Sequence, residues 1–224
     1  ARNARPITRP WSRIFRSDPT KHSLFVVRGS AAAETLFDSR HNMTRHLFSI
    51  TAALLFCLSA AAAQTPEALL NGEKAKRALG FIRSVEAETI AEQIKTCEIP
   101  APPFKEQQRA AYYKQRFTEL GLKNVLIDRE GSVIGERPGT ESGRTLALVA
   151  HLDTVFPEGT DVRVKRDGQI LTGPGIGDNC RGLAVMLAVA RALDAARIET
   201  KAAIIFVADV GEEGLGNLRG TRHL

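Results

Sequence analysis

The chain predicts an α/β fold, and three observations carry that reading. Residues 145–150 (TLALVA) and 202–208 (AAIIFVA) are continuous apolar runs, the pattern of strands buried on both faces of a sheet. Between them, residues 183–198 set Leu183, Leu187, Val189 and Leu193 against Arg191, Asp194 and Arg197, as a helix with one apolar side does. Each run is then followed by metal-ligating residue types: His151-Leu152-Asp153 after the first, Glu212-Glu213 after the second. In open α/β sheets functional groups gather beyond the carboxyl ends of the strands, so this strand, helix, strand unit carries its chemistry at one end.

At 224 residues, 43% of them hydrophobic, the chain has the length for one or two globular domains. Its net charge of +6 is concentrated at the start: residues 1–42 hold eight basic side chains (Arg2, Arg5, Arg9, Arg13, Arg16, Lys21, Arg28, Arg40) against Asp18, Glu34 and Asp38. Spaced arginines with Trp11 and Phe15 suit an anionic partner, nucleic acid or a membrane surface. The residues that follow favour a different reading. Met43 opens a short polar stretch containing Arg45, then come apolar residues 47–60 and Ala61-Ala62-Ala63 before Gln64, the layout of a secretory signal peptide. Residues 1–42 then read as a basic extension upstream of the true start, residues 43–63 as the signal peptide, and the product as exported, periplasmic or secreted. The apolar run falls short of the roughly 20 residues of a membrane-spanning helix, so no stable membrane anchor is expected. Cleavage before Gln64 removes those eight basic residues and Arg45 from 31, and the three acids from 25, leaving 22 of each sign. A neutral product gives no electrostatic ground for nucleic-acid binding. It also keeps only Cys97 and Cys180, too few for a disulfide framework, so both are expected unpaired.

Within residues 64–224, Pro66 to about Lys95 reads as a helix, with Leu69, Leu70, Leu79, Phe81, Ile82, Val85 and Ile90 at mixed helical spacing. Cys97 to Pro103 is a proline-rich break. A second helix runs from about Lys105 to a glycine cap at Gly121. Asn124 to Ile134 reads as a hairpin turning near Glu130-Gly131, and a second hairpin pairs Val162–Val164 with Gln169–Leu171 across Asp167-Gly168.

A catalytic zinc ion takes imidazole and carboxylate ligands and keeps one position open, and two such ions about 3.5 to 4 Å apart need a bridging carboxylate. His151 and Asp178 have that chemistry. The i, i+2 spacing of His151 and Asp153 puts both side chains on one side of an extended strand, where Asp153 can accept the second ring N–H and fix the tautomer. Glu212 and Glu213, as neighbours in an extended segment, point opposite ways, so one can bind metal while the other faces the water as general base. The glycine-rich residues 173–177 (GPGIG) also bring to mind a phosphate cradle, but the dinucleotide fingerprint needs glycine where Asp178 stands, and a carboxylate there repels phosphate. Singly, a His-x-Asp or a Glu-Glu pair is an ordinary surface feature. Their joint order at the ends of two strands is what points to a metal.

Residues 146–224 resemble the first half of the catalytic domain of the M20 metallopeptidase family, which includes glutamate carboxypeptidases, tripeptidase-like enzymes, aminoacylases and amino-acid deacylases. The matching text is AHLDTVFPEGT, LTGPGIGDNCRGLAVMLAVARAL and GEEGLGNLRGTRHL, and the likeness extends upstream to about Pro66 through Ile99–Pro102, residues 106–120 and residues 128–135. It implies a three-layer αβα zinc-exopeptidase domain, of which residues 64–224 are the N-terminal portion; the lid or dimerisation domain, a later acidic ligand and a late histidine are expected beyond Leu224, leaving this stretch alone inactive. It implies two zinc ions, with His151 on one, Asp178 bridging, Glu213 on the other, Glu212 as general base and Asp153 orienting His151. A cis bond at Asp178-Asn179 is implied as well. The implied activity is hydrolysis of peptide or N-acyl amide bonds in small peptides or N-acyl amino acids, by a protein that dimerises through its lid. Cys180 and Asp209 depart from the family pattern, although neither occupies a ligand position. The alternative function is that of an exported binding protein keeping the sheet with a vestigial or incomplete metal site.

Overall fold

The computed structural model describes residues 65–224; the basic segment 1–42 and the signal-peptide expectation for 43–63 lie outside the described residues. A short helix α1 (Pro66–Leu70) precedes the unit formed by residues 70–224. That unit runs α2 (Glu73–Ser84), α3 (Glu86–Cys97), α4 (Gln107–Glu119), β1 (Lys123–Ile127), β2 (Val133–Arg137), β3 (Thr145–His151), β4 (Lys165–Asp167), β5 (Ile170–Thr172), α5 (Cys180–Ala195) and β6 (Ala203–Asp209). Among the described residues, no helix is long and apolar enough to cross a membrane.

The single helix expected over Pro66 to Lys95 is three. Gly72 takes an extended backbone (φ −67°, ψ 146°) ahead of α2, and Val85 (φ −105°, ψ 19°) separates α2 from α3. The mixed spacing of the apolar residues is the reason: α2 buries none of its residues, whereas α3 buries Thr89, Gln93, Thr96 and Cys97, so the two present different faces. Helix α4 ends as expected. Gly121 sits at φ +72°, where the Leu122 amide donates to Phe117 O (3.2 Å) and the Gly121 amide to Thr118 O (2.9 Å), the paired bonds of a glycine-terminated helix.

Strands β1, β2, β6 and β3 form one sheet in that order. The pairs β1–β2 and β2–β6 are antiparallel, and β3–β6 is parallel with His151 opposite Asp209. The turn between β1 and β2 is built by Asp128, whose Oδ1 accepts the amides of Glu130, Gly131 and Ser132 at 2.8 to 2.9 Å. On one face of the sheet, Ile204, Phe206 and Ala208 of β6 meet Ala110, Tyr113 and Phe117 of α4 and Leu183, Met186 and Leu187 of α5. On the other, Ile134, Ile205 and Val207 cluster with Leu126 and Leu224.

The two apolar runs have different fates. Strand β6 is buried on both faces, as its sequence predicts. Strand β3 is not: it pairs only with β6 among the described residues, and Leu146 and Val149 remain 52% and 46% exposed. In the second hairpin the turn at Gly168 (φ +57°) is where the sequence puts it, but its first strand starts at Lys165 rather than Val162. Five of the six strand residues in that ribbon are exposed, so no buried face fixes the register and the turn alone sets it.

Candidate metal centre

His151 is the last residue of β3, and its parallel neighbour β6 delivers Val210 to Glu213 to the same end of the sheet. After β6 the chain turns at Gly211 (φ +64°), and the Arg219 side chain fills the space a Cβ would need there, its Nη1 only 2.0 Å from that position. Arg219 is held in turn by Glu106, a carboxylate 2% exposed, through Nη2 to Oε2 at 2.8 Å. The segment bearing the glutamate pair is thereby tied to the start of α4. Glycine-rich residues 173–177 and Asp178 lead into α5, and the Asp178-Asn179 bond is cis.

These elements bring together the residues read from the sequence. His151 Nε2 lies 2.8 Å from Asp178 Oδ1 and 3.9 Å from Glu212 Oε2. One ligand atom each from His151, Glu212 and Glu213 falls within a mutual 4.8 Å. Both glutamates therefore reach the same centre, where an extended chain would have sent them to opposite sides. The cause is Asp153, whose Oδ1 accepts the Glu212 amide (3.1 Å) and Oδ2 the Glu213 amide (2.9 Å), anchoring the two residues side by side.

Asp153 thus works differently from its expected role. Its carboxylate stands 3.6 Å from His151 Nδ1, and the closer acceptor is its own backbone carbonyl, at 3.0 Å. A carbonyl oxygen only accepts, so Nδ1 carries a proton; Nε2 faces the Asp178 carboxylate as a donor and becomes a metal ligand on giving up its own proton. The Asp153 carbonyl, not its carboxylate, is the closer partner of Nδ1. Burial on its own would lower the His151 pKa, but the side chains of Asp153 and Asp178 and the Asp153 charge outweigh it and push the value up to about 9. Burial would raise Asp153, but the adjacent His151 ring and the hydrogen bonds from the two glutamate amides hold it below the usual carboxylate range instead. Glu213 is raised, first by desolvation and then by the charge of Asp178.

One imidazole nitrogen and several convergent carboxylates are a donor set suited to a divalent metal of the zinc type. Residues 132–224 match the model of Peptidase family M28. A Pyrococcus abyssi protein described as a LysW-lysine/LysW-ornithine hydrolase is 36% identical over 127 residues, which are 57% of this chain and 33% of that protein. Aminopeptidase PepT from Bacillus cereus superposes with a TM-score of 0.54 at 25% identity, over 62% of this chain and 39% of its own. A tripeptidase from Staphylococcus aureus gives 0.51 at 26% identity, over 60% of this chain and 39% of its own. The chain spans about a third of the curated relative and two fifths of these structures. Its fold is that of the α/β catalytic domain of such peptidases. The motifs resemble family M20, while the family model that matches is that of Peptidase family M28.

Asp209, a departure from the family pattern, is buried, accepting from Ser132 Oγ (3.0 Å) and Thr221 Oγ1 (2.5 Å). Cys97 and Cys180 are both free and buried. Two features escaped the sequence reading: the Glu106–Arg219 pair, and Arg109. The second had a signal, since Arg109 shares the buried face of α4 with Tyr113 and Phe117 at intervals of four.

Proposed function

We propose that the protein is a zinc-dependent hydrolase of peptide or N-acyl amide bonds, an exopeptidase or deacylase of the M20/M28 type. The observation that carries this is the convergence of His151, Glu212 and Glu213 within 4.8 Å, with Asp178 on the same imidazole nitrogen, at the carboxyl ends of two parallel strands. The names of the relatives, a hydrolase of LysW-linked amino acids, an aminopeptidase and a tripeptidase, support the substrate class. We assign His151 to one zinc, Asp178 to the bridge between two, and Glu213 to the second.

Bound zinc supplies Lewis acidity toward the amide carbonyl and acidifies water. The protein supplies the rest. Asp153 and its carbonyl orient both His151 and the glutamate pair. The Glu212 carboxylate takes a proton from the attacking water as the oxygen–carbon bond forms, then gives it to the leaving nitrogen as the carbon–nitrogen bond breaks.

The test is Glu212→Gln in the full-length protein, assayed with dipeptides and N-acyl amino acids. Turnover should fall by about 10²- to 10⁴-fold, the usual contribution of a general base, while metal content by elemental analysis stays at the wild-type level. A Glu212→Gln protein with wild-type kcat would overturn the assignment of the base.

A further inference from the structure

Arg109 is 1% exposed, yet no carboxylate among the described residues lies in ion-pair range of it. Burying a guanidinium without an anion is costly, and such groups survive only where hydrogen bonds replace water at each donor. Here carbonyls do so. Nε and Nη2 donate to Ile99 O at 3.0 and 2.6 Å, Nη2 also approaches Cys97 O at 3.3 Å, and Nη1 donates to Leu152 O at 2.6 Å.

The last of these contacts is the informative one. Leu152 is the residue between His151 and Asp153, and its amide is already held by Asp209 O of β6 at 2.6 Å. Arg109 therefore fixes the other side of the same residue. Its remaining contacts lie at the end of α3, and that end grips the loop leading to Asp178: Cys97 Sγ donates to Pro174 O at 3.1 Å and Gln93 Nε2 to Ile176 O at 2.7 Å. One buried fork thus joins the strand that carries His151 to the helix end that holds the Asp178 loop.

We infer that Arg109 is a positioning residue for the metal centre, setting the spacing between His151 and Asp178 through the carbonyls of Leu152 and Cys97. The inference rests on the metal reading above. A planar fork reaches three carbonyls on two segments, which the single ammonium of lysine does not, so Arg109→Lys is a severe change here despite keeping the charge.

The experiment is Co²⁺ titration of the full-length wild type, Arg109→Lys, Arg109→Met and Phe117→Ala, read by visible d–d absorption, with circular dichroism on each. Phe117 lies on the same helix and packs only in the core, so its variant reports the effect of destabilisation alone. Both Arg109 variants should lose about 10- to 100-fold in Co²⁺ affinity and change the shape of the spectrum, as outer partners of metal ligands do, while Phe117→Ala keeps the wild-type spectrum. Wild type that takes up no Co²⁺ overturns the metal reading and this inference with it. Wild type that binds, beside a folded Arg109→Lys or Arg109→Met protein with the same affinity and spectrum, overturns the inference alone. Should both Arg109 variants fail to fold, unchanged His151 and Asp178 spacing in a folded Arg109→Gln protein, read by its Co²⁺ spectrum, overturns it equally.

Discussion

Asp153 decides how much of this centre a change at one residue can undo. It is fully buried and accepts two backbone amides from residues far along the chain, so Asp153→Asn leaves one amide facing an NH₂ group. An unsatisfied buried donor costs about 1 to 3 kcal/mol. Urea denaturation should show that loss, together with weaker metal binding as the glutamate pair loosens. His151 gives a pH signature. In the metal-free protein its folded pKa of about 9 lies above the ordinary 6.5, so the folded state holds this proton more tightly than the unfolded chain. The stability it contributes is complete below pH 6.5 and is lost as pH rises through 9. Urea midpoints of wild type measured against His151→Ala at pH 6 and pH 9.5 should converge at the higher value. Zinc uptake at pH 7 should also release that proton, measurable by calorimetry in buffers of different ionisation enthalpy. At this scale the sequence revealed which residue types meet, because strand ends and acidic pairs are local patterns. It could not reveal that the Asp153 carboxylate serves the glutamate amides, since those partners are 59 and 60 residues away.

The elements show the same division. Both apolar strands look alike in sequence, but only strand order decides which is central, and that order is a non-local property. Phe206→Ala in β6 should cost about 3 to 5 kcal/mol, the range for emptying a packed aromatic site. Val149→Ala in β3, at a half-exposed position, should stay within about 0.5 kcal/mol. Thermal or denaturant melts of the pair measure the difference directly, and equal losses would mean that β3 is covered as fully as β6. Helix α4 was legible to its cap because Gly121 marks the end chemically. The β4–β5 ribbon was legible only at its turn, because exposed strands leave no buried pattern to read.

For the molecule as a whole, the sequence yields an export reading that concerns residues outside the described part. Mass spectrometry of the native protein should find Gln64 at its N-terminus, and a mature chain that retains residues 1–42 would remove both the signal peptide and the neutral net charge. His151 ends β3 and the glutamate pair follows β6, and these strands are joined by a parallel crossover, a connection that requires a long loop to close before any pairing rewards it. The donors are brought together only when β3 and β6 pair. A slip of one residue between β3 and β6 would carry His151 about 3.3 Å along the sheet and turn it to the other face. Uptake of the proposed metal is therefore expected to follow strand pairing, since the donor set exists only when β3 and β6 are in register.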